Sequence, residues 1–100
     1  MNVVVKEPGK KIKKIAIKND LESLQELIGG YIECVPLDED ITIICDEEGK
    51  LKGLQPNIDI EYDIICGTVV FVGNDGEDFR SLTPGEVAYL EVWTFANEVE

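Results

Sequence analysis

Residues 29–57, GGYIECVPLDEDITIICDEEGKLKGLQPN, restrict the fold of this chain more than any other stretch. Tyr31, Ile32, Cys34, Val35 and Leu37 form one run, and Ile41, Thr42, Ile43, Ile44 and Cys45 a second. β-Branched and aromatic side chains at this density pack well on a pleated surface and lose rotamer freedom in a helix. Both runs are therefore expected as strands. Asp38-Glu39-Asp40 joins them as a polar turn. Asp46-Glu47-Glu48-Gly49 is a second turn, whose glycine is able to take a positive φ. Pro36 marks an edge position or a bend, because proline offers the ladder no N–H. An acidic triplet such as 38–40 can also bind calcium, but the alternating ligands, central glycine and closing glutamate of an EF-hand are missing. A solvated turn is the expectation.

The flanking segments supply the rest of the layers. Val3, Val4 and Val5 begin a strand that Pro8-Gly9 ends. Residues 11–18, with Ile12, Ile15 and Ile17 among lysines, return as the second arm of a hairpin with a basic exposed side. Lysines there discourage edge-to-edge pairing, and their functional use would be an anionic ligand. A helix starts at Asn19 or Asp20, where Asn19 and Glu22 resemble a capping box. Leu21, Leu24, Leu27 and Ile28 make its apolar face, and Gly29-Gly30 stops it.

After the two central strands, residues 51–57 read as a short strand interrupted by Gly53 and closed by Pro56-Asn57. Ile58, Ile60 and Tyr62 alternate with acids as an extended edge segment or an ordered loop. Residues 64–72, IICGTVVFV, lack alternation and are expected as the central strand, with Gly67 marking a bulge or a close backbone approach. Gly73 to Gly76 form a turn before the short stretch Phe79 to Leu82. Thr83-Pro84-Gly85-Glu86 then combines a capping box with proline at the first helical position. The helix that follows covers the sheet with Val87, Leu90 and Phe95, flanked by Ala88, Tyr89 and Trp93. Trp93 and Phe95 are read as core or subunit-interface anchors, which keeps a homo-oligomer among the expected partners. The fold class is α+β in a single domain, 1–100. It has a mostly antiparallel sheet of about five strands, a short helix after an N-terminal hairpin, and a C-terminal helix packed on one face.

Composition narrows the function. At 100 residues and 44% hydrophobic, the chain supports one core. No apolar run approaches the roughly 20 residues that cross a bilayer, and residues 1–11 lack the order of a signal peptide. A cytoplasmic protein without a membrane partner is expected. The formal net charge is −12, from 21 acidic and 9 basic side chains. Residues 1–18 hold six lysines against Glu7 alone, a net +5, so the remainder carries −17. That field repels nucleic acid, and no direct nucleic-acid binding is expected. Its ordinary role is a solubilising skin; its sharper role would be to imitate the phosphates of DNA before a DNA-binding protein.

Cys34, Cys45 and Cys66 all sit in apolar runs, without a Cys-x-x-Cys pair or any histidine, so zinc spacings are absent. They are expected to be reduced, buried and structural. Without histidine the commonest general base is missing. There is also no nucleophile elbow, P-loop, dinucleotide fingerprint or metalloprotease helix. Gly29-Gly30 ends a helix, where the dipole repels a phosphate. No catalytic residue, metal or cofactor is therefore expected, and the chain reads as a binder, not an enzyme.

Three segments, LESLQELIGGYIECVPL, CDEEGKLKGLQPN and DIICGTVVFVGNDGEDFRSLT, resemble a family of small proteins from phages and mobile elements. The family carries the label domain of unknown function three-eight-four-six. The likeness runs from Leu21 to Thr83 and is most specific at 29–33, 46–51, Pro56-Asn57, Gly67 and Gly73. It implies a phage, prophage or conjugative-element context with no assigned activity. In that context the leading expectation is a protein that binds a host-derived small anion such as a signalling nucleotide. Tyr31 would stack, Glu33 and Asn57 would read polar edges, and Lys11, Lys13 or Arg80 would hold phosphate. The alternatives are an acidic module that blocks a host protein, with DNA mimicry as one form of it, and a structural or oligomerisation domain without ligand.

Overall fold

The structure is a computed structural model and describes residues 1–99. Ten elements follow in order: β1 (Asn2–Lys6), β2 (Lys13–Ala16), α1 (Leu21–Ile28), β3 (Ile32–Pro36), β4 (Ile41–Asp46), β5 (Pro56–Asp59), β6 (Ile64–Cys66), β7 (Val69–Asp75), β8 (Asp78–Arg80) and α2 (Pro84–Asn97). The class is α+β, and all named strand pairs are antiparallel. Five strands run in the unbroken order β2-β1-β7-β4-β3. β8 is a sixth, pairing with the far end of β7 at Gly73–Asp75 while β1 takes Val69–Phe71. β5 and β6 form a separate ribbon.

Alternation sorts the side chains of the sheet onto two faces. Val3, Val5, Ile44, Val70 and Val72 point to one face, where Leu24 and Ile28 of α1 cover them. Val4, Ile41, Ile43, Val69 and Phe71 point to the other, against Leu90 of α2 and Ile58 and Ile65 of the β5–β6 ribbon. Trp93 meets Phe71 edge to face, with ring centroids 5.9 Å apart. β4 is buried along its whole length and most of β7 with it. This two-sided cover explains why neither run shows a wet face in the sequence.

Several local expectations shift. The N-cap of α1 is Asp20, whose carboxylate accepts from Ser23 N at 2.8 Å. Asn19 instead donates to the Phe79 carbonyl, and Leu21 is exposed. At Thr83 the reciprocal box with Glu86 forms as read. Residues 51–53 are turns, not strand: Lys52 N bonds back to Glu48 O at 2.9 Å, and the strand begins only at Pro56. The run 64–72 is broken into β6 and β7 at Gly67, whose φ of 88° is open to glycine and strained for other residues. A single strand cannot serve both sheets, and this break redirects the chain.

The cysteines do not share one environment. Cys45 is buried, Cys66 half-buried, and Cys34 exposed on β3, the terminal strand of the sheet. All three are free thiols. The largest departure concerns Phe95. It is 81% exposed and belongs to the outer face of α2, while the inner face uses Val87, Leu90, Trp93 and Thr94.

Candidate binding site at the edge of the sheet

The cleft best supplied with functional groups lies where β3 ends the sheet. It encloses about 390 Å³ between β3, the turns that follow β4, and the β5–β6 ribbon. Its shape originates in one carboxylate. Asp46 ends β4 with a side chain almost wholly buried. Its Oδ1 accepts from Glu48 N at 2.8 Å and its Oδ2 from Lys52 Nζ at 2.7 Å. Burial opposes the charge on Asp46, but the Lys52 ammonium and the Glu48 N–H outweigh it and hold the carboxyl below its ordinary value. Glu47 N also donates to Tyr31 O at 2.9 Å, which fastens the turn to the start of β3.

The opposite wall closes on the same turn. A Cβ at Gly49 would stand 2.7 Å from the carbonyl oxygen of Cys66, so only glycine lets β6 approach this closely. Gly49 has no positive φ, and close approach rather than turn geometry is its role. Lys50 is ion-paired with Asp63, whose Oδ1 also accepts from Ile64 N. The carboxylate bond holds Lys50 above its ordinary pKa, and the Lys50 ammonium holds Asp63 below its own. Of the charged side chains lining the cleft, five are acids (Glu33, Asp46, Glu47, Glu48 and Asp63) and one is a base, the committed Lys50. Leu51 and Tyr62 stand exposed on its rim. A second hollow of about 310 Å³ shares Glu48 and takes in Tyr31, Gly30 and Lys52.

The expected site residues scatter. Tyr31 and Glu33 lie on either side of this turn, and Tyr31 is exposed. Asn57 does not face a ligand: it is 0% exposed, and its polar atoms are all taken. Its Nδ2 donates to Lys6 O at 2.9 Å and Gly67 O at 2.8 Å, while its Oδ1 accepts from Lys6 Nζ at 3.1 Å. Lys13 pairs with Glu7 at 3.1 Å. Lys11 lines a different hollow, with Glu91 and Glu98. Arg80 grips Glu86 through two bonds of 2.8 and 3.0 Å. None of these three cations lines the cleft beside β3: Lys11 and Lys13 belong to the β1–β2 hairpin and Arg80 to β8.

Sequence reasoning missed Asp46, Lys50, Lys52, Tyr62 and Asp63 as neighbours. For Asp46, Lys50 and Lys52 the signal is the charged run 46–52, of which 46–49 reads as a turn and 51–57 as a short strand; Tyr62 and Asp63 belong to the alternating stretch 58–63. It also missed Lys6, a lysine only 1% exposed, whose pKa burial pushes down with Glu98 opposing. Among the described residues, no group of three or more His, Cys, Asp or Glu side chains is arranged to hold a metal ion.

Most of the segments specific to the family resemblance lie around this site. Glu33 and residues 46–51 line the cleft, and Gly30 and Tyr31 line the adjoining hollow. Gly49 lies against the Cys66 carbonyl beside Gly67, and Asn57 ties Gly67 to β1, whereas Gly73 lies apart, paired with Arg80 of β8. A family model described as Domain of unknown function (DUF3846) matches residues 1–94. The chain belongs to this family. The match takes in β1, β2 and most of α2, so the DUF3846 domain is the whole layered fold and not only the part between the helices. No curated protein and no solved structure matches the chain. No helix is long and apolar enough to cross a membrane among the described residues.

Proposed function

We propose that this DUF3846 chain is a non-catalytic binding domain that receives a basic segment of a partner protein in the cleft beside β3. The observation that carries this reading is the lining: three carboxylates outside any ion pair among the described residues, Glu33, Glu47 and Glu48, beside Asp63 and Asp46, which are paired with Lys50 and Lys52. Leu51 and Tyr62 are exposed on the rim and Tyr31 in the adjoining hollow. Exposed aromatics supply the anchoring area of an interface, and complementary charge supplies orientation and encounter rate. The outer edge of β3 carries no neighbouring strand within the described chain, which suits an extended segment adding main-chain hydrogen bonds. The net charge of −12 draws a basic partner from a distance. A partner belonging to a phage host accords with the setting implied by the family resemblance.

A small anion is supported less well. Lys13 and Arg80 are each engaged by a glutamate, and the hollow with Lys11 is also lined by Glu91 and Glu98. Calorimetric titration of lysine- and arginine-rich peptides, acidic peptides and nucleotides distinguishes the readings. Basic peptides should bind, weaken as salt rises, and lose at least tenfold in affinity to a Glu33→Lys, Glu48→Lys double variant. Nucleotide binding without peptide binding, or peptide binding indifferent to the charge reversal, would refute the proposal.

A further inference from the structure

The outer face of α2 is built like a second packing seam. Each residue advances about 100° around a helix, which places Phe95, Ala88, Val92, Gly85, Ala96 and Tyr89 on one arc about 120° wide. Not one of them is charged, and α2 has a separate inner seam of Val87, Leu90, Trp93 and Thr94. An uncharged arc of this width is what a helix normally turns toward a core. Here Tyr89 is 47%, Val92 71% and Phe95 81% exposed. In a chain of net charge −12 that face is conspicuous for lacking acids.

We infer that this face is covered by the same face of a second copy, making an isologous dimer through α2. Charge selects the occupant. Two copies of this chain repel over most of their surfaces, but the arc brings no like charges together. Glu91 borders it on the side facing the β1–β2 hairpin, where Lys14 and Lys11 line the grooves along α2. With the helices antiparallel about a two-fold axis, the hairpin side of each copy falls on the same side of the seam. Lys11 and Lys14 of one copy then meet Glu91 of the other. The small residues Gly85, Ala88 and Ala96 leave room between the helices for Tyr89 and Phe95 of the opposing copy. Area agrees with a modest dimer. Aromatic side chains present roughly 150–250 Å² each, so the exposed part of this arc is on the order of 400 Å² per chain. Two such arcs bury on the order of 800 Å², below the roughly 1,200 Å² at which stable interfaces begin, so the dimer is a weak one.

Sedimentation equilibrium across a concentration series, to about 1 mM, tests the inference. The wild-type chain should shift from one to two chain masses. A Val92→Glu, Phe95→Glu variant should stay at one mass while keeping the wild-type circular dichroism and unfolding midpoint, since neither side chain is in the core. Phe95→Leu should still dimerise. A wild-type chain that remains monomeric to 1 mM overturns the proposal, as does a dimer that persists in the double variant. The cleft beside β3 shares no residue with this face, so failure of one proposal leaves the other standing.

Discussion

Replacing Asn57 by alanine separates a residue that reads a ligand from one that holds the fold. The side chain is fully buried and makes three hydrogen bonds, two donated to the carbonyls of Lys6 and Gly67 and one accepted from the Lys6 ammonium. Alanine leaves two carbonyls and part of a buried cation without partners. A buried group stripped of its partner costs about 1–3 kcal/mol, and more when it is charged. Three such losses, partly relieved by relaxation or an entering water, amount to about 3–5 kcal/mol. That is a large share of the roughly 5–15 kcal/mol of a typical domain. Urea unfolding followed by tryptophan fluorescence measures it, with the slope expected to stay near the wild-type value. Lys6→Met should cost less, because it removes the buried charge and strands only one amide oxygen. The two substitutions should be non-additive by about 1–2 kcal/mol, as each removes the same contact. A loss below about 1 kcal/mol for Asn57→Ala, with ligand binding abolished, would return Asn57 to the binding site and refute its structural role.

Two titrations and one steric test follow. Burial, with Glu33 adding to it, pushes the Cys45 thiol up to about 12 from an ordinary 9.0. Between those values the unfolded chain holds fewer protons, so stability falls as pH rises, by roughly 1.4 kcal/mol per pH unit. Cys45→Ala should remove this alkaline slope in urea titrations at pH 8 to 11. Arg80, against the opposition of burial and with help from the Thr83 N–H, holds the Glu86 carboxyl at about 2 instead of 4.5. Its contribution is complete above pH 4.5 and is lost as pH falls toward 2. Glu86→Gln should cost about 1–2 kcal/mol at neutral pH, discounted for the solvent reaching Arg80, and should flatten the acid limb of stability in that window. Gly49→Ala should destabilise by about 1–3 kcal/mol by forcing β6 from the turn, and should weaken peptide binding in the cleft.

What the sequence disclosed was set by how local the cause is. The box at Thr83 and Glu86 involves four consecutive residues and was legible outright, whereas of the two starts offered for α1 the cap is Asp20, and the box of Asn19 with Glu22 does not form, since Asn19 bonds to Phe79 of β8. The two flanking edges were readable from lysines on β2 and Pro36 on β3. The order between them was not, since β7 reaches back between β1 and β4 and no short-range pattern encodes that pairing. The same limit governs the site. Tyr31 and Glu33, singled out through a contiguous motif, line adjoining hollows, but Lys11, Lys13 and Arg80 were grouped by charge alone, and charge carries no topology. Lys6 and Asn57 were hidden for the opposite reason: an ammonium and an amide look like surface until a residue 51 positions away completes their bonds.

Phe95 shows how one helix misleads when it has two apolar arcs. A single stripe spaced at three and four residues identifies an inner face, but on α2 Val87, Leu90 and Thr94 satisfy that spacing and so do Gly85, Tyr89, Val92 and Ala96. The sequence alone offers no reason to send Phe95 outward. The sheet decides, because Phe71 and Trp93 pack in a T-shaped pair and leave Phe95 on the far side. A seam left over after the core is full has its own consequence for the proposed function. The cleft at β3 draws on none of α2, so pairing through α2 leaves both clefts of a dimer open. Two weak acidic clefts held at fixed spacing bind a partner with two basic segments by effective concentration, with no new contact at either site. A wild-type chain should therefore bind a tandem basic peptide more tightly than a single one, and the Val92→Glu, Phe95→Glu variant should bind the two alike. Equal preference for the tandem peptide in both proteins would show that the clefts act singly.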